Sequence, residues 1–539
     1  MSEGIQNSTG NDWDAMFERA VQLHTTGQTT EAGALFAAIV EHNPIHFPSL
    51  QRLAAIRRQE GHFEESLALL KQAIGCNPSS ADAHNSLGNT LNSLGRSEEA
   101  VDQYRCALAL RPDYPEAYVN LGNSLKGLNR VKEAAVCYSS AIGLRPQYAE
   151  AHSNLGIALL RLDRPQDALA SFTAAIALDP GLNIAYSNLG AALSELDRHE
   201  EALPIFQRAR QLEPDAPQPV FNEALARLAL GDFEKAWEDY EARWVAVELK
   251  LKSRNFPQPL WDGETGIAGK TFLIHAEQGL GDMILLARYI PLVAQRGARL
   301  IVECYQPIQS LIAAIPGVSQ VLIYGEDLPD FDIHAPFGSL PRAFKTTLQT
   351  IPDRVPYLPA PTHSPTIDDL DNTDDPRPRV GVCWAGNPEY PRDRHRSIPL
   401  AVFQRLFRVP NVRFVSLQQR LRPGDEQILA NYDNIDLVTD RKGSTLADTA
   451  ALISKLDLVI TVDTAIGHLT GALGRPVWVL LAYFPYWVWL RNRSGNPWYP
   501  TAQLFRQPRM GDWESVVERV AETLKLAVSS RVAPASAVV

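Results

Sequence analysis

Apolar residues recur at helical spacing through the first half of the chain, as in Ala100-Val-Asp-Gln-Tyr104 and Ala107-Leu-Ala-Leu110. A longer period runs over this one. Steps of 34 from Ala20 reach Ala54, Gly88, Gly122, Gly156, Gly190 and Ala224, and steps from Gly27 reach Gly61, Gly95, Asn129, Asp163, Asp197 and Gly231. The same step links Ala32, Ser66, Ala100, Ala134, Ala168, Ala202 and Ala236, and the prolines Pro44, Pro78, Pro112, Pro146, Pro180 and Pro214. Four registers with one period predict an array of helical hairpins.

Each register has a physical reason. Small residues let two antiparallel helices approach. Gly, Asn and Asp tolerate the left-handed conformation that ends the first helix. The Ala register marks a tight crossing in the second helix, and proline stops that helix before the next repeat. The pattern, with Asn120-Leu-Gly122, Asn154-Leu-Gly156 and Asn188-Leu-Gly190, resembles the tetratricopeptide repeat, seven copies over residues 12–245. That resemblance implies an α-solenoid whose concave groove binds peptides or proteins. Asn120, Asn154, Asn188 and Asn222 form a further register that, in this family, commonly faces the groove. Amides both donate and accept, so such a ladder can hold an acceptor chain by its backbone. Asn as a frequent consensus choice is the plainer reading, and Ser86, Arg52 and Glu18 interrupt the register toward the N-terminus.

Beyond Trp244 the period changes. Residues 246–268, with Pro257, Pro259, Gly263 and Gly266 around Trp261, read as a linker. Short apolar runs then alternate with helical stretches: Lys270–Ile274, Ala298–Val302 and Val318–Ile323 as strands, with helices over 283–296 and 307–315. Prolines 359, 361 and 365 and an acidic run at 368–375 separate this stretch from a second βα series, with strands at 379–384, 412–417, 456–462 and 476–481. These predict two Rossmann-like domains, 269–365 and 378–530, each a parallel sheet with helices on both faces and a cleft at the strand C-termini. Asp369-Leu-Asp371 is formally a DxD, but with no flanking strand it does not read as a metal site. Trp513–Leu526 reads as a final amphipathic helix.

Candidate chemistry sits at strand ends. Gly279-Leu-Gly281-Asp282 opens the first helix of the 269–365 domain; the glycines permit close backbone approach, and Asp282 is either a first-turn carboxylate or a proton acceptor at the cleft. Asp463-Thr464 opens another helix, whose N-terminus suits a diphosphate, with His468 one turn in as a ligand group or a structural hydrogen bonder. Trp384-Ala-Gly386-Asn387 precedes Arg392, Arg394, His395 and Arg396, a basic cluster that matches phosphate oxygens or forms a solvated loop. Tyr483, Phe484, Tyr486, Trp487 and Trp489 can stack on sugars or bases, or pack a core or domain contact.

Composition narrows the classes. The chain has 539 residues, enough for three to four domains, and a net charge of −11, which argues against a general nucleic-acid binder. Five cysteines without a CxxC pair suit reduced thiols rather than a disulfide scaffold. The N-terminus does not read as a secretory signal, and the longest apolar run, 477–490, is shorter than the ~20 residues a membrane helix needs, so the expected location is the cytoplasm.

Together the three strand-end motifs, over about residues 269–530, resemble heptosyltransferase-like glycosyltransferases of family 9 with the GT-B fold. The whole chain resembles bacterial proteins that join tetratricopeptide repeats to such a domain. The resemblance implies Asp282 as catalytic base and Asp463, Thr464 and His468 in the sugar-nucleotide segment, with Gly279, Gly281, Trp384, Gly386, Asn387, Arg394 and Arg396 as further donor-binding candidates. The mid-chain lysine that contacts donor phosphate in heptosyltransferases has no evident counterpart, and Arg394 or Arg396 is the candidate substitute. In GT-B folds the last helix often crosses back to the first domain. The expected activity is inverting, metal-independent transfer of a hexosyl, heptosyl or GlcNAc-type sugar from a nucleotide-diphosphate donor, without a resident cofactor, to an acceptor, plausibly a protein, presented by the repeats. The alternative is an interaction scaffold with a weakly active or inactive transferase-like domain.

Overall fold

The computed structural model describes residues 10–246, 254–361, 375–390, 392–437 and 445–532. Asp369 and Asp371 lie outside these residues. The chain divides into two compact units, residues 1–192 and 193–539.

The first unit consists of successive antiparallel helix pairs, from Gly10–Thr25 with Thr29–His42 to Ala149–Arg161 with Pro165–Leu178. The 34-residue registers take the conformations that physical chemistry assigns them. Gly27, Gly61, Gly95, Asn129 and Asp163 have φ between +60 and +84°, each in the turn after a first helix. Pro44, Pro78, Pro112, Pro146 and Pro180 each follow the last residue of a second helix by two positions. Ala32, Ser66, Ala100, Ala134 and Ala168 are fully buried.

The small-residue register has a steric cause. A Cβ on Gly88 would lie 2.6 Å from the Tyr104 ring, on Gly122 2.6 Å from Tyr138, and on Gly156 2.5 Å from Phe172. These rings are buried to 1% exposure or less and have no room to retreat. Gly122→Ala is therefore expected to destabilise the array by about 1–3 kcal/mol. Thermal unfolding checks it: a melting temperature at or above that of the parent would show that the ring is not confined.

The second unit begins inside the sixth repeat. It contains the helices His199–Leu212, Pro217–Leu230 and Phe233–Tyr240, followed by the two α/β domains. The first of these is a four-stranded parallel sheet in the order β3-β2-β1-β4, from β1 (Thr271–His275), β2 (Arg299–Cys304), β3 (Val318–Ile323) and β4 (Ile333–Pro336). The second has the order β10-β11-β9-β8-β5-β6-β7. Its strands are β5 (Arg379–Cys383), β6 (Arg413–Ser416), β7 (Ile435–Leu437), β8 (Leu458–Val462), β9 (Val477–Leu481), β10 (Gly495–Asn496) and β11 (Tyr499–Arg506). All of its pairings are parallel except β10 with β11.

Two expectations are corrected. On one face of the first sheet, Leu273, Ile301 and Leu322 pack against Phe256, Leu328 and Phe331, which lie outside helices. The stretch read as a linker thus supplies part of the domain: Phe256 covers that face, Trp261 is buried in the core, and Leu260 bridges to His334. The last helix, Trp513–Val532, packs Val516, Val517, Val520 and Leu524 against Phe403, Leu406, Phe407 and Phe505, so its apolar stripe stays on the second domain.

The same unit includes the end of the repeats. Trp237 Nε1 donates to the Thr346 carbonyl at 2.8 Å. Phe233 and Trp237 pack their rings on Trp487 and Trp498 of the second α/β domain. Arg288 joins the two α/β domains, donating to the carbonyls of Pro352 and Trp498 at 3.0 and 2.8 Å and to the Tyr357 hydroxyl at 3.2 Å.

Candidate active site

Two helix N-termini meet in the cleft. The helix Leu280–Leu286 leaves β1 through Gly279, whose extended backbone starts the first turn. The helix Ala465–Ala472 leaves β8 through Thr464. They approach so closely that a Cβ on Gly281 would lie 3.0 Å from His468 Cδ2. Gly281 is glycine because the other domain's helix crosses over it. This contact places Asp282 and Asp463 in one crevice, near enough that the charge of Asp463 acts on Asp282.

Asp282 sits in the first turn of its helix. Burial raises its carboxyl pKa from the ordinary 3.8 to about 6, and repulsion from Glu277 and Asp463 adds to the rise. Hydrogen bonds from the Tyr486 side chain and the Gly279 backbone oppose it. A carboxyl balanced near 6 is ionised at neutral pH and is a stronger base than an exposed aspartate.

Arg396 supplies positive charge across the cleft. Its Nη1 donates to the Asp463 carbonyl at 3.0 Å, its Nε donates to Asp393 at 3.2 Å, and its guanidinium stands 4.6 Å from the Tyr390 ring centre. Gly386 makes room for it: a Cβ there would fall 2.4 Å from Asp393 Oδ1 and 2.6 Å from Arg396 Nη2. Ser397 Oγ accepts the Gly386 N–H at 2.9 Å, and Arg422 donates to Asp393 and to Ser397. Burial also raises the Asp463 carboxyl, opposed by Trp489 and Arg396.

Several candidates have structural duties. Thr464 caps its helix, its hydroxyl accepting the Ile466 N–H at 3.3 Å and lying 3.2 Å from Thr461 Oγ1. His468 is buried, with Nδ1 2.9 Å from the Tyr499 hydroxyl and its ring 5.3 Å from Trp489. Burial, with Arg288 and Arg396 nearby, lowers its pKa to about 3, so it is neutral and packs the domain contact. Trp384 is corrected: its indole is fully buried against Phe403 and donates to Asp425 at 3.1 Å, which leaves no face for a donor. Asn387 and Arg394 are exposed, and Asn387 Oδ1 accepts the Glu389 N–H within its own turn. Arg392 is drawn to Glu195 at 3.4 Å and stands over the Phe484 ring.

The amide ladder is half-buried at Asn120, Asn154, Asn188 and Asn222. Asn120 donates to Asn85 at 3.0 Å, Asn154 accepts from Lys126 at 3.3 Å, and Asn222 accepts from Gln218 at 3.0 Å. Part of the ladder's capacity is thus spent within the chain.

Sequence reasoning passed over Glu277, Gln278, Arg243 and Tyr240. Arg243 is wholly buried; it donates to Glu277 at 2.9 Å, Glu241 at 2.8 Å and Ser339 at 2.8 Å. Gln278 Nε2 donates to the Tyr240 hydroxyl at 2.9 Å. Glu277 and Gln278 precede Gly279 directly, and that adjacency was the available signal.

Comparison with known proteins finds matches in both halves of the chain. Tetratricopeptide-repeat models match residues 69–102, 88–129, 119–183 and 184–212. The model described as glycosyltransferase family 9 (heptosyltransferase) matches residues 443–484, the stretch that carries Asp463, Thr464 and His468. Protein FlbA of Caulobacter vibrioides is 27% identical over 333 residues, covering 57% of this chain and 54% of FlbA, so the chain spans about half the length of that curated relative. Among solved structures, YrrB, a TPR protein with an unusual peptide-binding site, is 25% identical over 35% of this chain and 98% of its own, with a TM-score of 0.31. A tetratricopeptide repeat protein from Parabacteroides merdae is 17% identical over 45% of this chain and 95% of its own, with a TM-score of 0.38. Among the described residues, no helix is long and apolar enough to cross a membrane. The chain thus carries tetratricopeptide repeats followed by two α/β domains with parallel sheets, the second of which includes the segment that the glycosyltransferase family 9 (heptosyltransferase) model matches.

Proposed function

We propose that the chain is an inverting, metal-independent glycosyltransferase that uses a nucleotide-diphosphate sugar. The observation that carries this reading is the shared crevice: Asp282 at one helix N-terminus, with Asp463, Arg396 and a second helix N-terminus opposite. Asp282 takes the proton of an acceptor hydroxyl. The acceptor oxygen then forms a bond to the anomeric carbon as the bond to the diphosphate breaks, and single displacement inverts that carbon. The nucleoside diphosphate leaves toward Arg396 and the Ala465–Ala472 helix N-terminus, whose positive charge matches the developing negative charge. The repeats offer a protein acceptor, with the half-buried amides of Asn120, Asn154, Asn188 and Asn222 as backbone contacts.

Thermal shift against UDP-, GDP- and ADP-sugars, followed by a donor-hydrolysis assay, tests the reading. Stabilisation by one donor together with turnover supports it. Binding without turnover favours a scaffold whose domain only holds the nucleotide sugar, and no binding removes both. Arg396→Ala is expected to weaken the bound donor by about tenfold or more, the worth of one charge-assisted hydrogen bond. An unchanged Kd would move the diphosphate site elsewhere.

A further inference from the structure

We propose that Asp197, in the turn of the sixth tetratricopeptide repeat, is a positioning residue of the transfer crevice: it holds Arg491, and with it the strained turn Trp489–Leu490 whose indole packs on His468. This rests on reading the crevice around Asp282 and Asp463 as the transfer site. Asp197 occupies the left-handed register that ends each first helix, with φ of 58°. Gly27, Gly61, Gly95 and Gly231 hold the same register, and glycine takes that conformation at no steric cost. The carboxylate accounts for the aspartate. Asp197 Oδ1 pairs with Arg491 Nε at 2.7 Å, and Arg491 Nη1 also pairs with Glu200 in the first turn of the next helix.

Arg491 follows directly on a second backbone outlier. Leu490, after the short helix Trp487–Trp489, has φ of 50° and ψ of 174° and is 3% exposed. A bulky side chain at positive φ is strained, and such strain persists only where the surroundings hold it. Two guanidinium groups supply the hold. Arg506, the last residue of β11, donates through Nη2 to the carbonyls of Trp489 and Leu490 at 2.7 and 2.6 Å. Arg491 is drawn the other way, into the sixth repeat. Burial lowers the pKa of Arg506 to about 10; Asp197 opposes that fall, while Arg491 adds to it. One carboxylate thus balances both cations beside the turn. The same repeat holds the other end of the aromatic loop: Phe484 lies 5.8 Å from His199 and under Arg392, which pairs with Glu195 at 3.4 Å.

From Leu490 the path to the crevice is short. Trp489 has no exposed surface, and its ring lies 5.3 Å from that of His468. His468 Cδ2 is the atom that a Cβ on Gly281 would meet at 3.0 Å, one residue before Asp282. His468 itself belongs to the helix that Thr464 caps directly after Asp463. Close-packed side chains have no room to absorb a displacement, so a shift of Trp489 passes through His468 to the two helix starts that carry the carboxylates. The repeats thus set the geometry of the crevice as well as offering a surface to the acceptor.

The test is Asp197→Asn in the full chain, with Asp197→Gly as a second variant that suits the left-handed turn and keeps the repeat folded. Both are expected to lower kcat by about tenfold at unchanged donor KM, because the reacting groups lose their alignment. In an Arg491→Met background neither is expected to lower kcat further. An unchanged kcat, or independent effects of Asp197 and Arg491, overturns the proposal. A second readout needs no turnover. In the chain labelled with 5-fluorotryptophan, the Trp489 fluorine resonance, identified by its loss in Trp489→Phe, is expected to shift or broaden in both Asp197 variants. A lowered melting temperature with that resonance in place marks a merely structural role and overturns the proposal. If the parent chain turns over no donor, the transferase reading fails, while the resonance still decides whether Asp197 holds the Trp489 turn.

Discussion

Asp282→Asn is expected to lower transfer by about 10²–10⁴-fold, the usual contribution of a general base, while donor binding stays within a few-fold of the parent. It is also expected to raise the melting temperature at pH 7. Asp282 has its pKa raised in the folded chain from 3.8 to about 6, so the folded state holds a proton that the unfolded state has lost. Stability from this group is fully present below about pH 4, falls as pH rises toward 6, and stays reduced above it. At about 1.4 kcal/mol per unit, the asparagine recovers at most about 3 kcal/mol at neutral pH. Below pH 4 the two chains should melt alike. Activity lost with stability gained separates a strained functional carboxylate from a structural one. Full turnover in Asp282→Asn would remove the residue from the mechanism.

Arg243→Ala is expected to give the largest loss of stability, about 3–5 kcal/mol in the unit spanning 193–539. Arg243 has no exposed surface and satisfies Glu277, Glu241 and Ser339 together. Burial raises the Glu277 carboxyl pKa, and the Arg243 guanidinium opposes that rise. Removing the guanidinium leaves two carboxylates and a hydroxyl without their common donor, one carboxylate deeply buried. Arg243→Lys does not rescue this, because a point charge cannot reach three partners held in a planar fork. Denaturant unfolding measures the effect. A loss under about 1 kcal/mol would mean that water replaces the guanidinium at little cost.

The array was legible because its determinants are local and repeat. Left-handed φ at Asn129 and Asp163 follows from residue type alone, and the glycines opposite Tyr104, Tyr138 and Phe172 follow from the need of two helices to touch. Strands β1, β3, β5, β8 and β9 announced themselves as apolar runs between turn residues. The strand β4, Ile-His-Ala-Pro, did not, since its histidine and proline resemble a loop until neighbouring β1 supplies its hydrogen bonds. Pro500 hid β11, where proline is tolerated because pairing with β9 begins only at Ala502. In the site, Gly281, Asp282, Gly386, Arg396 and Asp463 stood out because close backbone approach and charge at strand ends are written in residue type. Trp384 misled: an indole beside a glycine turn looks like a stacking platform, but only the packing of Phe403 and Asp425 reveals it as core.

What the chain's own order of residues decided is the set of elements. A 34-residue period produces hairpins, apolar runs produce strands, and paired glycines leave room at the helix starts. Those outcomes depend on interactions within one or two turns of chain, so they can be read without a partner. The meeting of His468 with Gly281, and the pairing of Arg243 with Glu277 and of Tyr240 with Gln278, join residues 34 to 187 positions apart, and burial among such neighbours lifts Asp282. Desolvation and long-range hydrogen bonding act only once distant segments share a volume, and that is why the tertiary structure alone decided where the chemistry sits.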